Sequence, residues 1–302
     1  MGAIETSPTA WTIRDRTFSW GDRTYIMGIL NVTPDSFSDG GQFNRLDQAI
    51  HQGRHLVHKG TDILDIGGQS TRPGATVIAL EEELQRVIPV IEAIRRDPDP
   101  ALAAVPISVD TTRAEVAQAA VEAGADMVND ISAGTFDPAM LKTVADLGVP
   151  VFLMHIRGNP ATMQQQTNYA DLMGEISDFL QQRLAAAQMA GIDPAAIALD
   201  PGIGFAKTYP QNLTILRHLR ELRCLGCPLL VGASRKSFIG WILDQPDPQQ
   251  RVWGTAAACA SAIAAGADVL RVHDGAEMIQ VARVADAIWR GAAELASAAA
   301  NS

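Results

Sequence analysis

Polar and charged residues stand directly after short apolar runs at eight places along this chain of 302 residues. The runs are rich in Val, Ile and Leu, which is typical of buried β-strands. The residues that follow them are of kinds that bind small molecules: Asn31, residues 67–72, Asp110, Asn129 with Asp130, His155, Asp200, residues 234–237, and Arg271 with His273. Because an ionisable group beside apolar sequence is costly unless it has a partner, the repetition indicates one site assembled from many parts of the chain.

The cationic residues of this set predict an oxyanion site. Arg72 and Arg271 can each bind an oxyanion through two parallel N–H donors, and His273 can add a further donor. Together they indicate a diphosphate site on a protein whose formal net charge is −10.

The carboxylate and amide residues suit a different ligand. Asp110, Asn129 and Asp200 can bind a heterocycle with several N–H groups, because a carboxylate accepts two parallel bonds from an amidine-like edge. The residues alone therefore predict an enzyme for a nitrogen heterocycle that bears phosphate.

Three of these residues also have a purely structural interpretation. Asp110 precedes the residues TTR and can cap the next helix. Asp130 can serve in a cap or a salt bridge, and His155 is typical of a structural imidazole whose hydrogen bonds are satisfied.

The elements that must position these residues alternate regularly. Strands are predicted at 26–32, 62–67, 106–110, 127–131, 151–154, 197–200, 229–232 and 269–272, with helical periodicity between them, as at 80–96 and 168–191. Eight such units predict a (β/α)₈ TIM barrel in a single domain of residues 1–302, with the barrel units at about 26–291. The carboxyl ends of its strands would then converge on one face.

Two further features bear on this architecture. The competing open, doubly wound sheet usually carries a GxGxxG motif after its first strand, and this sequence has none there. The stretch WTIRDRTFSWGDRTY, which precedes the first unit, predicts a short N-terminal strand pair across one end of the barrel.

The composition excludes several classes of protein. An acidic chain lacks the basic face that nucleic acid requires, and the most apolar stretch, 256–267, is too short to span a bilayer. No secretory signal is recognised, and three cysteines do not make a disulfide scaffold, so a reducing, cytoplasmic setting is expected. Cys224 and Cys227 are interpreted as ordinary thiols.

Seven sequence strings resemble those of the dihydropteroate synthase family, in the family's order and between residues 27 and 274. They are MGILNVTPDSFSDGG, DIGGQSTRPG, ISVDTT, VNDIS, LDPGIGFAKT, VGASRKSFIG and RVHD. The resemblance implies a TIM-barrel transferase, commonly a homodimer and a sulfonamide target. It would join 6-hydroxymethyl-7,8-dihydropterin diphosphate to p-aminobenzoate, giving 7,8-dihydropteroate and diphosphate.

The resemblance also implies roles for the residues that bind the pterin diphosphate. The pterin edge would be bound by Asp110, Asn129 and Asp200, its carbonyl and ring nitrogen by Lys236, and its face by Met154, while Asn31 would lie near Mg²⁺ and anchor the diphosphate with Arg271 and His273.

Two mobile loops complete the implied site. The first carries Asp35 and Phe37, and the second carries Thr71, Arg72 and Pro73; p-aminobenzoate would lie among Phe37, Pro73, Phe205 and Ser237. Catalysis is assigned to Asp35, Arg72, Asp110 and Lys236, in a dissociative alkyl transfer that needs no covalent enzyme intermediate. One departure from many relatives is Gln69, where Glu is frequent, and either residue can brace the second loop.

Two rival functions remain open at this point. A corrinoid methyltransferase of the same superfamily would share the pterin carboxylates but would not need Arg72, Lys236, Arg271 and His273. A non-catalytic pterin-binding paralogue would be expected to lack one of those charged residues or a mobile loop.

Overall fold

The computed structural model describes residues 8–33, 42–72 and 74–291. Its strands are β1 (Trp11–Ile13), β2 (Arg16–Phe18), β3 (Tyr25–Asn31), β4 (Ile63–Gly67), β5 (Ile107–Asp110), β6 (Met127–Asp130), β7 (Val151–Met154), β8 (Ile197–Asp200), β9 (Leu230–Val231) and β10 (Val269–Val272). Strands β3 to β10 form one parallel sheet in the order β8-β7-β6-β5-β4-β3-β10-β9. A parallel bridge between Leu199 and Leu229 joins its two edges. The sheet is therefore a closed barrel, as predicted, and the open-sheet alternative is wrong.

Helices surround this barrel. They are α1 (Gln42–His58), α2 (Leu80–Arg95), α3 (Pro100–Ala104), α4 (Ala114–Glu122), α5 (Met140–Leu147), α6 (Leu172–Met189), α7 (Tyr209–His218), α8 (Ser237–Leu243), α9 (Val252–Ala264) and α10 (Gly275–Trp289). Where α5 ends, Gly148 adopts φ 65°, a left-handed conformation that glycine reaches without a Cβ clash. Within the described residues, no helix is both long and apolar enough to cross a membrane.

The barrel strands follow a two-residue alternation. One set of side chains packs outward against the helices, as Leu64, Val109 and Leu199 do. The alternate set points into the barrel, where Met27 and Phe152 belong to a separate buried cluster. Because successive side chains leave a strand on opposite faces, polar residues two positions after other members of this inward cluster also face the interior. Asp200 follows Ala198 in this way, and Arg271 follows Val269.

The strand pair β1–β2 closes the end of the barrel at which the strands begin. It is antiparallel, with Trp11 opposite Phe18. Trp11 contacts the inward Phe152 at a ring-centroid distance of 5.5 Å, and its indole nitrogen donates to the carbonyl of Ala195 at 2.6 Å. The predicted N-terminal cap is confirmed, and it lies opposite the carboxyl ends of the strands.

Three aspartates, of which Asp62 and Asp268 are buried and Asp126 is partly buried, stabilise the same end. Each lies directly before a barrel strand. Its side chain accepts a hydrogen bond from a backbone N–H at, or next to, the start of the preceding strand. The pairs are Asp62 with Ile26 at 2.8 Å, Asp126 with Ile107 at 2.8 Å, and Asp268 with Leu229 at 3.0 Å. Each also contacts an arginine, namely Arg23, Arg95 and Arg223 respectively. These three carboxylates fix neighbouring strands in register.

Candidate active site

The carboxyl ends of β3 to β10 and the loops after them form the face that we call the rim. Most of the predicted site residues lie there: Asn31, Asp110, Asn129, Met154, Asp200 and Arg271 on strands, and Thr71, Arg72, Phe205, Lys236, Ser237 and His273 in or just after the loops. Asp35, Phe37 and Pro73 lie outside the described residues. The rim therefore collects side chains from far-apart parts of the chain, as the sequence predicts.

Arg271 lies at the centre of the rim and bridges two carboxylates. Its Nε donates to Asp65 and its Nη2 to Asp110, each at 2.6 Å. Asp65 is fully buried and Asp110 nearly so. Burial lowers the pKa of Arg271, but the two carboxylates outweigh burial and raise it above its ordinary value. The guanidinium therefore stays charged.

Asp65 was not predicted as a site residue. It accepts hydrogen bonds from the side-chain amide of Asn129 at 3.3 and 3.4 Å as well as from Arg271. The signal that was available is its place in β4, two residues after the inward-facing Ile63. A charge inside an apolar strand, on its interior face, requires a partner inside the barrel.

The two rim carboxylates have raised pKa values. Burial raises the pKa of Asp110 to about 7; Arg271 lowers it and the neighbouring Asp65 raises it. Burial likewise raises the pKa of Asp200 to about 6. A hydrogen bond of 2.7 Å from the backbone N–H of Gly202 and the charges of nearby cations lower that pKa but do not outweigh burial. Both carboxyl groups can thus exchange protons near neutral pH, which is characteristic of functional sites.

Lys236 provides a second cation at the rim, in the loop after β9. Its ammonium lies 4.2 Å from the centroid of the Phe205 ring. Burial lowers its pKa to about 8, Arg271 lowers it further, and Asp200 and Asp110 oppose the shift. Phe205 and Met154 belong to one small buried apolar cluster, so the cation stands beside an apolar wall suited to a flat ring.

His273 is held by Ser234. The hydroxyl of Ser234 accepts the backbone N–H of His273 at 3.1 Å and lies 3.0 Å from its Nδ1. Burial, followed by Arg235 and Arg271, lowers the pKa of His273 to about 3, so the imidazole is neutral. A hydroxyl proton directed at Nδ1 leaves Nε2–H as the donor of the ring.

With this geometry established, comparisons decide the family. A family model described as pterin binding enzyme matches residues 27–273. The dihydropteroate synthase of Synechocystis sp. is 59% identical over 283 residues, covering 94% of this chain and 96% of that protein. This chain belongs to the dihydropteroate synthase family.

Solved structures of the dihydropteroate synthase family share the fold. That of Xanthomonas albilineans with 4-aminobenzoic acid has a TM-score of 0.85 at 46% identity, over 94% of this chain and 98% of that one. The same organism's enzyme in complex with 7,8-dihydropteroate has a TM-score of 0.82 at 43% identity, over 93% and 98%. The Yersinia pestis enzyme with a sulfonamide drug complex has a TM-score of 0.85 at 43% identity, over 93% and 99%.

Two polar residues next to the rim of this family member have structural roles. Asp130 accepts hydrogen bonds from the backbone of Ser132 and Gly134 at 2.8 and 2.6 Å, so it stabilises the turn after β6. His155 is buried, and its Nδ1 lies 2.9 Å from the Nζ of Lys207. Burial lowers its pKa to about 2, with Lys207 adding to the shift. The buried imidazole of His155 thus has a structural partner, as the sequence predicts, whereas Asp130 stabilises a turn and not the start of a helix.

The structural alternative for Asp110 is wrong. Helix α4 has Arg113 at its N-cap position, without a side-chain cap, and the first helical N–H, that of Ala114, donates to Asp137 at 2.7 Å. Asp110 instead directs its carboxylate to Arg271. Its carboxylate therefore lies in the rim array and not at a helix end.

The second loop is braced as the sequence predicts. The side chain of Gln69 accepts the backbone N–H of Ile78 at 2.9 Å and donates to the carbonyls of Ser70 and Thr76 at 2.9 and 3.0 Å. Glutamine thus ties both halves of the loop, which positions the exposed Arg72 above the rim.

Proposed function

We propose that this chain is a transferase that condenses 6-hydroxymethyl-7,8-dihydropterin diphosphate with p-aminobenzoate, giving 7,8-dihydropteroate and diphosphate for folate biosynthesis. The single observation that carries this function is the array at the rim. There, Arg271 and two buried carboxylates lie beside a lysine that packs on an aromatic ring. The array offers acidic acceptors for a ring and cations for a leaving group. Membership in the dihydropteroate synthase family supports the same reaction.

The pterin ring is assigned to the buried acceptors. Asp200 accepts the parallel N–H groups of the aminopyrimidine edge, and Asn129, oriented by Asp65, both donates and accepts. Lys236 donates to the ring carbonyl and the adjacent nitrogen, and Met154 covers one face. In a desolvated site, each such charge-assisted bond contributes about 1.5–3 kcal/mol.

The diphosphate is assigned to the cationic part of the rim. Arg271 and the Nε2–H of His273 lie on consecutive inward positions after Val269, and Arg72 reaches the rim from the exposed second loop. These donors stabilise the negative charge that develops on diphosphate as it leaves.

Asn31 is assigned to Mg²⁺. It ends β3 as a partly exposed residue, opposite Gly67 in the parallel register. Because Mg²⁺ usually keeps several waters and takes one or two protein oxygens beside substrate phosphates, one amide oxygen at this edge suits an ion that arrives with the diphosphate. When bound, Mg²⁺ would neutralise part of the diphosphate charge.

The reaction follows as a dissociative alkyl transfer. The pterin CH₂–O bond breaks, both electrons leave with the diphosphate, and the carbon bears positive charge that the ring delocalises. Asp110, near the ring with Asp35 from the first loop, stabilises that charge. The p-aminobenzoate amine attacks the carbon and releases its proton to water. Of the residues assigned to p-aminobenzoate, Phe205 and Ser237 lie at the rim, and Phe37 and Pro73 lie outside the described residues. The described cysteines take no part.

A turnover assay tests this function. Purified protein is incubated with the pterin diphosphate, labelled p-aminobenzoate and Mg²⁺, and dihydropteroate is separated by chromatography. We expect equimolar dihydropteroate and diphosphate, and no enzyme-bound pterin adduct in the intact-protein mass spectrum. Tight pterin binding without product would identify a non-catalytic paralogue, and a pterin adduct that forms and decays at the rate of turnover would contradict direct transfer.

We further propose that the chain forms a homodimer in the cytoplasm. A groove of about 410 Å³ between α7, α8 and α9 is lined by apolar side chains, including Leu216 and Ile242, and Trp253 beside it is 79% exposed. Exposed apolar patches of this kind mark interfaces. Sedimentation should give a dimer for the wild type and a monomer for Trp253→Asp, whereas a monomeric wild type would refute the assembly.

A further inference from the structure

The loop after β9 contains a strained residue. Within residues 232–236, here called the β9 loop, Arg235 adopts φ 58°, in the left-handed region that a side chain with a Cβ rarely occupies. Such a conformation persists only where the surrounding structure holds it, and it is often found where function requires a particular geometry.

Three separate elements hold Arg235 in this conformation. Its backbone N–H donates to the hydroxyl of Thr255 on α9 at 3.0 Å. Its carbonyl accepts the guanidinium of the buried Arg251 at 2.9 Å. Its own guanidinium donates in a two-pronged pair to Asp274, with the Nε bond at 3.0 Å and a second bond from Nη2.

The residues on either side of Arg235 belong to different parts of the proposed site. Ser234, before it, holds His273, and Lys236, after it, packs on the Phe205 ring. Asp274 directly follows His273 in the chain. The pair of Arg235 with Asp274 and the pair of Ser234 with His273 therefore form a double connection, here called the clasp, between the loops after β9 and β10.

We infer that Arg235 is a positioning residue, with Asp274 as its counterpart, that sets the placement of Lys236 relative to His273. The inference deepens the proposed function and rests on it for the identity of the two ligand parts. Neither Arg235 nor Asp274 needs to touch substrate. The clasp keeps the cation for the ring and the donor for the leaving group in one rigid arrangement, and preorganisation of that kind favours a reaction in which both parts must be held at once.

Steady-state kinetics of four variants test the clasp. Arg235→Gln and Asp274→Asn remove the ion pair, Arg235→Lys keeps the charge, and Arg235→Gly removes the side chain while relieving the strain of the left-handed backbone. We expect kcat/KM for the pterin diphosphate to fall by about tenfold or more in the first two. Arg235→Lys should recover part of the loss. Arg235→Gly keeps both backbone hydrogen bonds and adopts the left-handed φ without strain, so its loss of kcat/KM should match that of Arg235→Gln and report the guanidinium alone.

A matched control separates positioning from stability. Arg223→Gln makes the same chemical change at the opposite end of the barrel, where Arg223 contacts the buried Asp268. It should lower the melting temperature and leave kcat/KM within about twofold of the wild type. If Arg223→Gln and Arg235→Gln lose activity equally and in proportion to their loss of stability, the clasp has no positioning role and the inference is overturned.

The pH profile supplies a readout that a general loss of stability would not change. Burial and Arg271 lower the pKa of Lys236 to about 8, and Asp200 and Asp110 oppose this shift. These three charged groups face Lys236 from β10, β8 and β5 respectively. In Arg235→Gln the Lys236 ammonium should be displaced into water. The pH at which kcat/KM falls on the basic side should then rise towards the ordinary lysine pKa of 10.5. Lys236→Gln should abolish that limb and so assign it. An unmoved limb in Arg235→Gln would overturn the inference.

A binding measurement distinguishes failure of the clasp from failure of the proposed function. Calorimetric titration with 6-hydroxymethyl-7,8-dihydropterin alone needs no turnover. Weaker binding by Arg235→Gln, by about tenfold, supports the clasp even if the wild type makes no dihydropteroate. Wild-type turnover together with unchanged pterin affinity and unchanged kcat/KM in Arg235→Gln refutes the clasp and leaves the reaction standing.

Discussion

Replacing Arg271 by methionine should destabilise the protein more than any change at an exposed ion pair. The guanidinium is the shared partner of Asp65 and Asp110, with both bonds at 2.6 Å, so its loss leaves two buried carboxylates facing each other. Removing one partner of a buried pair costs about 3–5 kcal/mol. We expect a loss of that size in the free energy of unfolding for Arg271→Met.

A second substitution should restore part of this stability. Asp65→Asn, made in the Arg271→Met background, removes one of the two uncompensated charges while keeping the shape and a partner for Asn129. Directly contacting residues couple by about 0.5–3 kcal/mol, so the loss in the double variant should be smaller than the sum of the two single losses by an amount in that range. It should also be smaller than the loss in Arg271→Met alone. A gain of stability from the second substitution would be diagnostic, because most single substitutions lower stability.

Urea unfolding followed by far-UV circular dichroism measures both quantities. The four proteins of the cycle are compared at one pH near 8, where Asp110, with a pKa of about 7, is mainly ionised. Arg96→Met, which breaks an exposed pair with Glu92, is the control and should cost under about 1 kcal/mol. If the losses of Asp65→Asn and Arg271→Met simply add, the two side chains are not coupled through charge and the account of the rim is wrong.

Further predictions concern the pH dependence of stability, the affinity for pterin, the stability of the barrel end that β1–β2 closes, and inhibition by a sulfonamide. The pKa of Asp110 is raised from 3.8 to about 7 in the folded protein, so between these pH values the folded protein retains a proton that the unfolded chain releases. The contribution of Asp110 to the free energy of unfolding therefore falls as pH rises between those values. Asp110→Asn should flatten this pH dependence in urea unfolding. Lys236→Ala should weaken pterin binding by roughly tenfold or more in calorimetry, for the loss of a charge-assisted bond; unchanged affinity would remove Lys236 from the ring site. Asp126→Ala should lower the free energy of unfolding by about 3 kcal/mol, since it removes the carboxylate that pairs with the Arg95 guanidinium and accepts the N–H of Ile107, and turnover should persist. A sulfonamide should compete with p-aminobenzoate, and inhibition that p-aminobenzoate does not relieve would contradict the proposed pocket.

The barrel was predictable because its signals are local. Val and Ile runs such as 107–109 identify strands without knowledge of their neighbours, and a glycine such as Gly148 marks a helix end through its own φ. The rim was predictable for a related reason. Once strands are parallel, the residues at their carboxyl ends, such as Asp110 and Asp200, must lie on one face.

The partners of these residues could not be predicted in the same way. Asp65 and Arg271 are 206 positions apart, and nothing in their local sequence states that the same guanidinium also meets Asp110. The left-handed backbone of Arg235 was equally hidden, because no glycine or asparagine marks it. That conformation is imposed by Thr255 and Arg251, which are distant in the chain. Tertiary contacts, and not local preference, decide such positions.

The five tryptophans divide into two groups that report different events. Trp11 and Trp20 are buried under the strand pair at the far end from the rim, whereas Trp241, Trp253 and Trp289 are more than half exposed on the outer helices. An aqueous quencher such as iodide should therefore silence the second group and leave the first. The emission that remains in iodide would then report unfolding at the β1–β2 end of the barrel. The difference spectrum would report the outer helices, including Trp253 at the proposed subunit contact, so one sample could report two processes without an attached dye.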